Sequence, residues 1–328
     1  MRPIYEVRRK NRRDANDLPA RCWVFYSAEA SRVYDRLMSR HALPFAFALL
    51  WFSTGRIDAQ TPSVAPGGVL NAASFAKDSS GLGSPVAPGS LVAIFGSFNG
   101  SLLASADSVP LSTSLGKVTV TFNGVAAPLK GVSPDGPFPF LTAQVPYDVL
   151  PPGQNSGIAN VVVEVNGNRS APEQTNIVAA APGVFTIPPD GQSNAVLVYL
   201  DPADNKAKIA ASVSASSSIG FATAPIPRGT AAFFYATGLG ALTPAVANGS
   251  GGNEDPSVLH QANAKPTVLV GGITAEVQFA GQAPGFPGVA QINIVIPQNA
   301  PTGDGISLQV QTADGAITST AKATISVR

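Results

Sequence analysis

The sequence predicts an all-β protein made of two antiparallel β-sandwiches in tandem, behind an N-terminal signal segment. Three observations carry this. Short runs of Val, Ile, Phe and Thr, many alternating with polar residues, are bounded by Gly, Pro, Asn and Asp. No stretch after residue 60 keeps a 3.6-residue apolar period over three turns. The order of motifs repeats once along the chain.

The leader comes first. Residues 1–59 hold eleven of the 21 basic and six of the 20 acidic residues, together with the only Cys, both Trp and both Met. Within them, ALPFAFALLWFS (42–53) is the most apolar run of the chain. Twelve residues rise about 18 Å as a helix, short of a bilayer core of about 30 Å. Ile57 and Ala59 suit the −3 and −1 positions of a signal-peptidase site, so cleavage is expected after Ala59. A start at Met38 gives a signal of ordinary proportions, with residues 1–37 read as a mis-assigned upstream extension; the rival, a cytoplasmic tail on a signal anchor, is disfavoured by Pro44 and the short span. No later run approaches 18 apolar residues, so no membrane span is expected in the mature chain.

The first half is expected over 60–182. Its clear strands are Leu91–Phe95, Lys117–Phe122, Phe140–Val145 and Ile158–Val165, with turns at Asn123-Gly124, Asp135-Gly136 and Asn166-Gly167. The second half, 183–328, offers Ala195–Leu200, Ala231–Ala236, Thr267–Val270, Thr274–Phe279, Ala290–Ile296, Ile306–Gln311 and Ala316–Val327. The repeat pairs PGSLVAIFG (88–96) with RGTAAFFYA (228–236), and VTVTFNGVAAPL (118–129) with TVLVGGITAEVQF (267–279). It also pairs FLTAQVP (140–146) with AQINIVIP (290–297). The second half has an extra hairpin-like stretch before residue 209, turning at Asp201–Asn205, and the boundary is expected near Pro182-Gly183.

NAASF (71–75), VAPGSLVAIFGS (86–97), AQVPYDVLPPG (143–153), APGVFT (181–186), YATGLGALTPAVANG (235–249) and FAGQAPGFPGVAQINIVIPQNAPTG (279–303) follow one another in order. This series resembles the Solibacter-type C-terminal module of exported acidobacterial proteins, over essentially all of 69–328. The resemblance implies two immunoglobulin-like halves and brings no catalytic residue with it. The stretch 192–227 departs from the pattern.

Composition removes most chemistry. Charged residues are 12% of the chain against about 25% typically, and the segment after residue 59 is slightly acidic, so no basic face for nucleic acid is expected. That segment has no Cys and one His, His260, read as a solvated loop residue; a Cys nucleophile or a His-rich zinc site is not expected, and neither is any other cofactor. The loops Asp201–Asn205 and Asn253-Glu254-Asp255 have oxygen ligands suited to Ca²⁺ but read better as turns. Sequons at Asn99, Asn168 and Asn248 fall at expected turns.

The most suggestive residues are Phe138, Phe140 and Phe286, aromatics in Pro/Gly-rich loops at matching places in the two halves. Such loops could form a contact platform. The reading preferred here is a plug, with Phe286 and at least one of Phe138 and Phe140 buried against a sandwich end or the neighbouring half. Three Tyr and no Trp remain after cleavage, which is poor material for a sugar-stacking face. The expectation is a non-enzymatic exported module for adhesion, docking or envelope structure, its partner an envelope protein or polysaccharide. Carbohydrate or cell-wall binding is the alternative, and a carboxylate-dependent secreted enzyme a more distant one.

Overall fold

The computed structural model describes residues 61–77, 83–252, 255, 257–315, 318–319 and 322–328. The leader and its signal segment lie outside the described residues.

Seven strands make the first sandwich: β1 (Ser63–Asn71), β2 (Leu91–Ser97), β3 (Val118–Phe122), β4 (Leu129–Ser133), β5 (Phe140–Gln144), β6 (Gly157–Val165) and β7 (Glu173–Ile177). One sheet has the order β1-β2-β5-β4, with the short Ala104–Ser105 strand at its edge; the other places β6 between β3 and β7. Four strands against three, in this order, is the constant-type immunoglobulin arrangement. Alternation builds it. Val118, Val120 and Phe122 are fully buried while Thr119 and Thr121 between them are half-exposed. Val92 and Ile94 of β2 and Leu141 and Ala143 of β5 point into the same core.

The second half repeats the scheme with β8 (Leu197–Asp201), β9 (Lys206–Ile209), β10 (Ala231–Thr237), β11 (Thr267–Val270), β12 (Ile273–Gln282), β13 (Ala290–Val295), β14 (Gly303–Gln311) and β15 (Thr324–Val327). Its path runs β15-β14-β11-β12-β13-β10-β8-β9. The hairpin β8–β9 adds a strand outside the position of β1. A separate core, from Val184 to Val327, fills this half.

The halves match in detail. Each has a β-bulge at the same place, between Leu129 and Gly131 in β4 and between Val277 and Phe279 in β12. Each has a parallel bridge into its last strand: Val86 N–H donates to Asn176 O, and Ile226 N–H donates to Ser326 O. They differ where proline intervenes. In the second half β12 pairs first with β11 and then with β13, so one strand serves both sheets. In the first half Pro128 lacks the donor needed there, and the strand breaks into Val125–Ala126 and β4.

The halves meet end to end through bonds between residues far apart in sequence. Thr237, fully buried, accepts the Leu91 N–H at 2.8 Å and donates to Gly288 O at 2.6 Å. Gln144 accepts from Gly249 N–H at 2.7 Å, and Asn248 accepts from Tyr147 N–H at 2.8 Å while donating to Asp148. Asn71 donates to Ala181 O. The fit is close enough that a Cβ on Gly240, at φ +78°, would lie 1.9 Å from Ala179 O. Burial in this seam pushes the Tyr147 phenol well above its usual range.

Candidate functional site: a bare aromatic end of the first sandwich

Polar chemistry is quenched where the structure describes it. Asp201, at the β8–β9 turn, has its carboxylate held by Lys208 at 2.8 Å and by Arg328 at 3.3 Å, and Lys208 also reaches Asp204 at 3.0 Å. A lysine ammonium thus occupies the place a calcium ion would need. The hydrogen bond from Lys208 holds the Asp201 carboxyl below the usual carboxylate range. Of the second acidic loop, Asn253 and Glu254 lie outside the described residues. His260 has Nδ1 2.7 Å from Pro244 O, so that nitrogen carries the proton and no carboxylate orients the ring from that side. Among the described residues no three His, Cys, Asp or Glu side chains converge as a metal site would require, and no helix is long and apolar enough to cross a membrane.

Aromatic residues gather instead on the outer face of the first sheet. Val92 and Ile94 point inward, so Phe95 points out. Phe95 pairs across the sheet with Phe140, and Phe140 with Ser133. The Phe95 and Phe140 rings are 5.8 Å apart. After β1 the chain turns back over this face and places Phe75, at φ 48°, with its ring 6.3 Å from Phe95. All three rings are half-buried. Beyond them, Phe138 is 75% exposed at the tip of the 133–140 loop, and Leu103 is 75% exposed at the sheet edge next to the Ala104–Val132 pair. No charged side chain lies in the row Phe95–Phe140–Ser133.

The three residues singled out in the sequence therefore do not share one role. Phe140 lies in the outer row and Phe138 projects from its end into solvent. Phe286 is half-buried at the other sandwich, its ring 6.4 Å from Tyr235, the counterpart of Phe95. The plug reading asked for Phe286 and at least one of Phe138 and Phe140 to be buried; Phe138 is exposed, and Phe140 and Phe286 are half-buried. The loops explain the difference. The second-half loop is longer and folds back on itself, with Ala283 N–H bonded to Val289 O and Phe286 N–H to Ala283 O. It lies in the joint, where Gly288 approaches Leu91. Tyr235 is consequently 1% exposed. The shorter first-half loop lies at the end away from the joint, and the Phe95 and Phe140 beside it stay half-buried.

Phe75 and Phe95 were not singled out in the sequence. Phe95 was legible, since an aromatic at the outward position of an alternating strand has no core to enter. Phe75 reaches the row only through the turn after β1, which no local pattern marks.

No protein-family model matches the sequence, and no curated protein matches it significantly. Among solved structures, similarity extends to the Bacteroides ovatus mixed-linkage glucan utilization protein SGBP-B in complex with a mixed-linkage heptasaccharide, at 12% identity and TM-score 0.28. That match covers 74% of this chain and 44% of the other, so the chain spans less than half of that protein's length. The titin I9–I11 tandem is similar at 11% identity and TM-score 0.19, covering 74% of this chain and 61% of that one. The D00–D0 domain of intimin is similar at 14% identity and TM-score 0.17, covering 75% and 96%.

Proposed function

We propose that this chain is an exported, non-enzymatic immunoglobulin-like module of the Solibacter type, serving adhesion, docking or envelope structure through the bare end of its first sandwich. The observation that carries the reading is the contrast between equivalent faces. Tyr235 in the second half is sealed under Phe286 and the joint, whereas in the first half its counterpart Phe95 is half-buried with Phe140, and Phe138 beyond them is exposed. An exposed apolar patch on a rigid scaffold is the usual mark of a contact surface. The rings suit a protein partner better than a sugar: Phe95 and Phe140 are tilted by 40° and Phe75 and Phe95 by 61°, which gives no flat platform for stacking.

The test is co-sedimentation of the exported protein with envelope fragments, stripped or not stripped of protein. Retention on untreated fragments, lost with Phe138→Ser while the thermal midpoint stays put, supports the reading. Retention indifferent to Phe138→Ser would sink the assignment of the face. Turnover of glycan, ester or peptide substrates by the purified protein would sink the non-enzymatic reading.

A further inference from the structure

We infer that the module associates head to tail with further copies of itself, the bare end of the first half receiving the outer end of a second copy's second half. This rests on the docking reading above and names the partner. Inside one chain, an end of the first half made of Gly89–Leu91 and Gln144–Tyr147 is already seated on an end of the second half made of Thr237–Gly240 and Gly281–Ala290. Duplication gives each of these ends a counterpart on the other half, at the ends of the two sandwiches away from the joint.

The receiving counterpart is Ser97–Gly100 with the 133–140 loop. Ser97 keeps the hydroxyl that Thr237 uses in the joint, here accepting from Asn99 Nδ2 at 3.0 Å, and Gly100 and Phe138 are exposed. The entering counterpart is Arg228–Ala231 with Val295–Gln298, and it is built like the one that docks. A Cβ on Gly229, at φ +73°, would lie 2.2 Å from the Gln298 amide, and a Cβ on Gly89, at φ +76°, would lie 2.2 Å from the Tyr147 ring. Gln298 thus stands over Gly229 as Tyr147 stands over Gly89. Arg228 and Gln298 are exposed, whereas Tyr147, the counterpart of Gln298 in the joint, is largely covered.

Charge complements the shape. The receiving loop presents exposed Asp135 beside exposed Phe138, and the entering end presents exposed Arg228 where the joint has Pro88. A guanidinium fits both a carboxylate and an aromatic face. A contact joining two different surfaces at opposite ends of the chain propagates from copy to copy, as an open string unless the rotation per copy closes it into a ring.

Sedimentation velocity of the exported protein at rising concentration tests this. Mass-action growth past the dimer is expected. Phe138→Ser, which removes the receiving end, and Arg228→Asp, which reverses the entering end, should each raise the dissociation constant about tenfold or more. An equimolar mixture of the two variants should form a dimer that neither forms alone, because each keeps the end the other lacks. Unchanged thermal midpoints show that both variants are folded. A wild-type protein that stays monomeric overturns the inference, as does a closed dimer indifferent to the mixing. If the monomer is still retained on envelope fragments through Phe138, self-association falls and the docking reading stands.

Discussion

Replacing Thr237 by Val tests the joint with almost no change in shape. The side chain is fully buried, so the lost oxygen is not replaced by water without rearrangement. Two groups lose their partner: the Leu91 N–H, which donates to Thr237 at 2.8 Å, and the Gly288 carbonyl, which accepts from it at 2.6 Å. A buried polar group left unsatisfied costs about 1–3 kcal/mol, so the pair should cost about 2–5 kcal/mol. In a domain of this size that lowers the thermal midpoint by roughly 5–15 °C. Circular dichroism and tyrosine fluorescence follow the same melt, since Tyr147 lies in the joint while Tyr199 and Tyr235 belong to the second half. The native protein should melt in one transition by both probes, and Thr237→Val should separate them. A loss under about 0.5 kcal/mol, the level of an ordinary surface substitution, would refute a tight joint.

Two further perturbations address the clasp and the loops. Asp201 has a carboxyl pKa held down in the folded state, so its contribution is full above the unfolded value of about 3.9 and is lost as pH falls through the folded value. Asp201→Asn should cost about 2–3 kcal/mol at neutral pH, less than for an isolated buried pair because Lys208 keeps Asp204, and should flatten the acid limb of a stability–pH curve; an unchanged acid limb would show that the clasp does not titrate as described. Phe286→Ala should cost about 1.5–2.5 kcal/mol, roughly half the full burial penalty, and Phe138→Ala less than about 0.5 kcal/mol. Equal losses in denaturant melts would contradict the asymmetry between the two loops.

How much of this was legible depends on how local each signal is. VTVTF at 118–122 alternates cleanly and reads as a strand, because its period is a property of five adjacent residues. The strand Ser63–Asn71 was not expected, because Pro66-Gly67-Gly68 reads as a turn; the structure absorbs these residues in a register shift between Val64 and Val69. Glu173–Ile177, the second arm of the hairpin that turns at Asn166-Gly167, has no clear bounds in the sequence, since only Thr175 and Ile177 turn fully into the core. The stretch 192–227 holds the β8–β9 hairpin and a single helical turn at Ser216–Ile219. Phe138 and Phe140 could be marked because Pro and Gly flank them. The joint could not, because Asn71 meets Ala181, and Leu91 meets Thr237, across more than a hundred residues.

The proposal to be tested is that the protein makes its contacts through the end of the first sandwich that carries the exposed Phe138. Hydrogen–deuterium exchange on the protein, free and mixed with envelope fragments, reads this residue by residue. Protection should appear on binding at 97–100 and 133–140, with the joint segments 237–240 and 283–289 already protected in the free protein. Protection confined to other surfaces, such as the 257–263 loop or the β8–β9 hairpin, or slow exchange at 133–140 before any partner is added, would contradict it.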